Sequence, residues 1–207
     1  MKPQPLPELG YQPNLVFILT DDQDVEMGGL EPMPKARKLL GEAGTTSAAF
    51  YVNTPVCCPS RSEYLSGRYH HNIRQSSYVP SGGDTLCDEA VNQSHPCGCM
   101  RMDVEGDGFE SKTYANYLQE VGYTTAYYGK FLNPPAMDVY CQDDGKRIPG
   151  WDSMFGMCNT AYYNVAWAQN GHLNRTGKSP DEYTTALIGN RSVDFIRDHA
   201  AAAHSGT

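Results

Sequence analysis

The apolar positions fall into short blocks whose period changes along the chain. Residues 14–20, Asn-Leu-Val-Phe-Ile-Leu-Thr, form a continuous β-favouring run, the pattern of a central parallel strand covered on both faces, and the run stops at Asp21-Asp22. Residues 34–43 predict a helix, with Pro34 near the first turn, Ala36, Leu39, Leu40 and Ala43 at helical spacing, and Gly44 as the stop. Residues 45–52 predict the next strand. After a cysteine-bearing loop the pattern repeats. Ser111 is the expected cap of a helix carrying Tyr114, Leu118 and Val121, Gly122 ends it, and residues 123–128 form a β-rich run stopping at Gly129-Lys130. Residues 162–167 predict a strand entering the turn Gln169-Asn170-Gly171, although an Asn-Gly pair alone does not establish a hairpin. Residues 181–200 are expected to be mostly helical through Tyr183, Leu187, Val193, Phe195 and Ile196, with Gly189 as an interruption.

Strands alternating with helices imply an α/β fold with a mostly parallel central sheet flanked by helices. Ligands in such folds gather beyond the carboxyl ends of strands, where Asp21-Asp22 and Lys130 both fall. The 207 residues, 40% of them hydrophobic, suffice for one sizeable core, read as a lead-in at 1–12 and one domain at 13–207. A net charge of −8, with 16 scattered Lys and Arg, excludes a nucleic-acid backbone as the natural ligand. No stretch has the length of a membrane span, and the opening MKPQPLPELGYQPN has no apolar signal core.

Seven cysteines and sequons at Asn92, Asn174 and Asn190 nevertheless suit an oxidising compartment. A glycosylated extracellular or lysosomal protein is expected, with its signal peptide missing from this sequence. An odd cysteine count leaves one thiol to explain, and Cys57 is the candidate. Cys87, Cys97 and Cys99 share a polar loop, while Cys141 and Cys158 flank another. Disulfides fit these better than zinc, because no second C-x2-C or His pair completes a metal site. The pairing is not legible.

Two features carry candidate chemistry. Asp21 and Asp22 repel each other at the end of a buried-type strand unless a cation, proton or basic group intervenes, and oxygen donors favour calcium or magnesium. An isolated Asp-Asp pair, backed here by Asp24 and Glu26, also fits a solvated acidic turn. Cys57-Cys58-Pro59-Ser60-Arg61 opens a short helix expected to run to Leu65, stopped by Ser66-Gly67. Its positive end, with Arg61 one turn in, suits a tetrahedral oxyanion. A tyrosine-phosphatase loop needs Arg six positions after its Cys, where this chain has Glu63 or Tyr64, so that mechanism is excluded. A Cys58 disulfide beside a Pro-started helix is the plain structural alternative.

The run Cys57-Cys58-Pro59-Ser60-Arg61-Ser62-Glu63-Tyr64-Leu65-Ser66-Gly67 resembles the sulfatase signature, C-x-P-x-R followed by x-x-x-L-[ST]-G. The resemblance extends to the run from Pro13 to Asp24, to the Gly-Tyr-x-Thr segment ending at Lys130, and to Gly150-Trp151-Asp152. Details such as the double Cys look most like algal and fungal arylsulfatases and glucosamine-6-sulfatases. It implies an alkaline-phosphatase-like fold and a sulfuric ester hydrolase. It also implies that a formylglycine-generating enzyme oxidises Cys57 to Cα-formylglycine, whose hydrate attacks sulfur and later releases sulfate. By the same resemblance Asp21, Asp22 and residue 57 are ligands of Ca2+, Arg61 orients the nucleophile, and Lys130 holds a sulfate oxygen.

Two departures stand out. Many sulfatases carry His two residues after the Gly-Lys lysine, where this chain has Leu132; His71 is a candidate substrate-binding group instead. The family's remaining metal ligands and acid are expected beyond residue 207, so the sequence reads as the N-terminal part of a catalytic domain, inactive alone. The resemblance implies an aryl sulfate or sulfated sugar as substrate. A phosphoester hydrolase of the same superfamily and a non-catalytic anion-binding fragment remain the alternatives.

Overall fold

A computed structural model describes residues 12–73, 112–133 and 136–204. The chain forms two compact units, Met1–Phe50 and Tyr51–Thr207.

In the first unit the run at 15–19 makes no strand. Leu15, Val16, Phe17, Ile18 and Leu19 are 48–70% exposed, so the central strand expected there is absent. The reason is general: a β-favouring run becomes a strand only against a hydrogen-bonding neighbour. Helix α1 (Pro34–Ala36) passes directly into a π turn (Arg37–Gly41), closed by the Glu42 N–H donating to the Arg37 carbonyl at 2.8 Å. The helix predicted at 34–43 therefore forms, though Leu39 and Leu40 stay exposed. Residues 45–50 are irregular, and so are Tyr51 and Val52 of the second unit; the strand predicted at 45–52 does not form.

The second unit holds the core. Helix α2 (Cys57–Ser66) buries Cys58, Pro59, Arg61, Ser62 and Leu65. Pro59 is its third residue, not its first, but still lies in the turn whose amides lack intrahelical partners. Gly67 ends α2 at φ +67°, its N–H donating to the Glu63 carbonyl at 2.8 Å. Helix α3 (Tyr114–Glu120) starts from Thr113, whose N–H donates to Asn116 Oδ1 at 3.0 Å; Ser111, the expected cap, lies outside the described residues. Gly122 at φ +88° stops α3 as predicted.

Four strands follow: β1 (Ala126–Gly129), β2 (Ser153–Met157), β3 (Ala166–Gln169) and β4 (His172–Arg175), in spatial order 1-2-3-4. Only β1 and β2 run parallel; β2–β3 and β3–β4 are antiparallel. The α/β class holds, but the sheet is mixed rather than mostly parallel among the described residues. Asn170 (φ +51°) and Gly171 (φ +90°) make the two-residue turn between β3 and β4, a hairpin of the kind Asn-Gly favours. Strand β2 had no counterpart in the sequence reading, and the strand expected at 162–167 forms only from Ala166.

Helix α4 (Thr184–His204) runs through Gly189 without a break and packs on β1, where Ile188 fills the space beside Gly129. The core gathers Leu65, Phe131, Leu132, Met137, Tyr140, Ile148, Trp151 and Met154, with Phe155 stacked on Trp167 at 3.9 Å between centroids beside it. Cys141 and Cys158 form a disulfide. Among the described residues no helix is long and apolar enough to cross a membrane.

Candidate active site

Cys57 occupies the first position of α2, half-buried, and is a thiol rather than half of a disulfide, while its neighbour Cys58 is disulfide-bonded. That division follows from the helix. Cys58 turns inward to the core, 4% exposed, and accepts the Asn133 N–H on its sulfur at 3.4 Å. Adjacent side chains on a helix leave in different directions, and here Cys58 takes the more inward one while Cys57 stays half-buried.

Arg61, one turn later, is 6% exposed. A buried guanidinium is tolerated only when its N–H groups find acceptors. Its Nη1 donates to the backbone carbonyl of Lys130, at the end of β1, and lies 3.5 Å from the Tyr127 hydroxyl. Tyr127 donates its own proton to the same carbonyl at 2.7 Å, and the Tyr64 and Tyr127 hydroxyls are 2.8 Å apart. Because Tyr127 has a single proton and spends it on Lys130, Tyr64 is the donor between the two phenols. The Lys130 carbonyl then accepts two bonds and the Tyr127 oxygen donates one and accepts two, which fills both oxygens.

Burial raises all three tyrosines around this point. Desolvation pushes Tyr127 well above the ordinary phenol value and Tyr64 above it, against the lowering effect of Arg61 on both. Tyr114 is pushed up to about 12, first by burial and then by Tyr64. The phenols therefore stay protonated at neutral pH, as the donor roles of Tyr64 and Tyr127 require. Trp151 walls the cluster, edge-on to Tyr127 at 5.1 Å and to Tyr114 at 5.7 Å.

The predicted residues thus sort clearly. Arg61, on the helix that begins with Cys57, is joined directly to the Lys130 backbone at the end of β1. Leu132 is 1% exposed and packs in the core, so that position serves packing. His71, in the turn His70–Asn72, is exposed, its ring stacked on Tyr69 at 5.9 Å, outside the Arg61–Lys130 network. In the first unit Asp21 and Asp22 are exposed, Asp22 at φ +47°, while the Asp24 carboxylate accepts the Met27 N–H and serves a local turn. Two adjacent exposed carboxylates are an oxygen donor set that fits a hard divalent cation. Asn174 on β4 and Asn190 on α4 are exposed; Asn92, Cys87, Cys97 and Cys99 lie outside the described residues.

Sequence reasoning missed Tyr64 and Tyr127. Tyr64 is three residues after Arg61 on the same helix and Tyr127 three before Lys130, but that spacing does not tell a bonded hydroxyl from an idle one.

The sulfatase family model matches residues 13–204, and the chain belongs to the sulfatase family. Its relatives include the extracellular sulfatase Sulf-1 homologue of Caenorhabditis elegans, 37% identical over 91% of this chain and 23% of that protein. The N-acetylglucosamine-6-sulfatase of Homo sapiens is 32% identical over 89% of this chain and 31% of its own. The arylsulfatase of Chlamydomonas reinhardtii is 31% identical over 92% and 27% respectively. The chain thus spans less than a third of the length of each.

Proposed function

We propose that the protein containing this chain hydrolyses sulfate esters, aryl sulfates or sulfated sugars, through a formylglycine made from Cys57. The observation that carries the reading is the state of the Cys57-Cys58 pair: Cys58 is in a disulfide, while Cys57 remains a thiol at the start of a helix braced through Arg61 to Lys130. A thiol that stays out of disulfides is what the modification needs. The aldehyde, once formed by a formylglycine-generating enzyme and hydrated, supplies an oxygen nucleophile.

The chain's own residues do the positioning. The N-terminal end of α2 and the Arg61 charge favour an anion near residue 57. Lys130, just beyond the carboxyl end of β1, would bind a sulfate oxygen through its ammonium. Asp21 and Asp22 would hold calcium, which when bound supplies charge neutralisation for the sulfate group. The Cys141–Cys158 bridge, the Cys58 disulfide and exposed sequons at Asn174 and Asn190 support maturation in the secretory pathway, with an extracellular or lysosomal destination and N-glycans.

The test is mass spectrometry of the residue-57 peptide from protein made in a host with the modifying enzyme. The peptide is expected to be lighter than its cysteine form by the difference between hydrogen sulfide and one oxygen atom, and Cys57→Ala is expected to abolish aryl sulfate turnover. A uniformly unmodified thiol, or turnover of aryl phosphate but not aryl sulfate, overturns the reading.

A further inference from the structure

We propose that Tyr127, supported by Tyr64, is a positioning residue for sulfate-ester binding, holding the Lys130 segment in register with the helix that carries residue 57. The inference rests on the sulfatase reading and extends it to two residues outside the signature's fixed positions.

The Arg61–carbonyl bond alone leaves the orientation of the Lys130 peptide undetermined. Arg61 Nη1 and the Lys130 carbonyl fix the separation between α2 and the end of β1 along one direction only. A second donor from another direction is needed to fix the carbonyl's orientation, and hence the rotation of the Lys130 peptide. Tyr127 provides it at 2.7 Å. Being on β1, three residues before Lys130, Tyr127 closes a short loop of chain upon itself at the point where the strand ends.

Tyr127 is itself fixed from the other side. The Tyr64 hydroxyl meets it at 2.8 Å, and its ring is held edge-on by Phe131 at 4.9 Å and by Trp151 at 5.1 Å between centroids. The result is a bridge from α2 through Tyr64 and Tyr127 to the Lys130 carbonyl, parallel to the direct one through Arg61. Two connections between the same elements, meeting at the Lys130 carbonyl, determine their relative placement more fully than one. Tyrosine is required at both sites for different reasons. Tyr127 must donate and accept at once, while toward Tyr127 Tyr64 only donates, so loss of the Tyr127 hydroxyl removes both the bond to Lys130 and the bond from Tyr64.

A positioning role separates from a purely structural one in the kinetics. If Lys130 binds a sulfate oxygen, a displaced Lys130 weakens the substrate and the product anion together. In the native protein, Tyr127→Phe is therefore expected to raise KM for an aryl sulfate about tenfold, and to weaken inhibition by inorganic sulfate by a similar factor, with formylglycine content unchanged. Tyr64→Phe, which leaves the Tyr127–Lys130 bond in place, is expected to move both quantities about threefold. Tyr162→Phe, an exposed control, is expected to move neither. A Tyr127→Phe protein with a lowered melting temperature but wild-type KM and sulfate inhibition overturns the proposal and leaves the sulfatase reading standing. A fully modified wild-type protein that hydrolyses no sulfate ester overturns both. Should Tyr127→Phe fail to fold, Tyr64→Phe decides alone: an unchanged KM and sulfate inhibition overturns the proposal.

Discussion

Asp152 shows how one side chain can tie together segments far apart in sequence. Its Oδ2 accepts the Thr125 N–H at 2.8 Å and the Thr125 hydroxyl at 3.1 Å, while its own N–H donates to the Thr125 carbonyl at 3.0 Å. Burial pushes the carboxyl up, but the Thr125 and Gln119 hydrogen bonds and the Arg147 charge outweigh it and hold Asp152 below the usual carboxylate range. A carboxylate with a depressed folded-state value adds stability above its unfolded value, near 3.9, and loses it as pH falls through the folded one. Asp152→Asn is thus expected to cost up to about 1 kcal/mol at neutral pH, small because the side chain is solvent-screened. The difference from wild type should shrink once pH drops below about 4. Urea titrations at pH 7 and pH 3 check it, and an equal loss at both would refute the ionic account. At this scale the sequence was most informative where spacing is itself chemistry, as with Cys57, Pro59 and Arg61. Tyr64 and Tyr127 escaped because a tyrosine at helical or strand spacing has the same pattern whether its hydroxyl is idle or bonded.

Elements were legible where local chemistry decides them and illegible where a neighbour does. Helix α2 follows from Pro59 and Gly67, and the β3–β4 hairpin from Asn170-Gly171, because caps and turns are written in a few adjacent residues. Strand β2 escaped because Met154-Phe155-Gly156-Met157 has no alternation and is broken by a glycine; its pairing with β1 makes it a strand. Conversely, residues 15–19 have strong β character and no strand. Glycines provide a direct test of what the elements demand. At Gly171 an added Cβ would lie 2.5 Å from the Gly145 carbonyl oxygen, at φ +90°, so Gly171→Ala is expected to cost about 2–3 kcal/mol. At Gly189, inside α4, the space around an added Cβ is open, and Gly189→Ala is expected to stabilise by about 0.5–1 kcal/mol. Urea denaturation of the two variants should therefore give opposite signs. If Gly189→Ala destabilised, α4 would not be the continuous helix described.

For the whole molecule, composition pointed to an oxidising compartment without telling which cysteines pair. The Cys141–Cys158 bridge explains the gap: its partners stand 17 residues apart, one after a short helical turn (Asp138–Tyr140) and the other just beyond β2, and only the folded core brings them together. A crosslink spanning that separation removes unfolded-state freedom amounting to about 3 kcal/mol. Against the roughly 5–15 kcal/mol by which whole domains are stable, this is a large share. The bridge also pins the segment holding Met137 and Tyr140, both at most 1% exposed, against the same core that carries Trp151 and Phe131. Replacing both cysteines by serine is expected to cost about 3 kcal/mol and to lower the melting temperature by several degrees. Secretion through an oxidising pathway should likewise yield a more stable protein than synthesis in a reducing cytosol. Because the bridge lies outside the Arg61–Tyr127–Lys130 network, the sulfate-ester hydrolysis proposed above should keep a KM near wild type at temperatures where the double variant is folded. A variant as stable as wild type would mean that the bridge adds nothing to this core, and a raised KM would mean that the two regions are coupled.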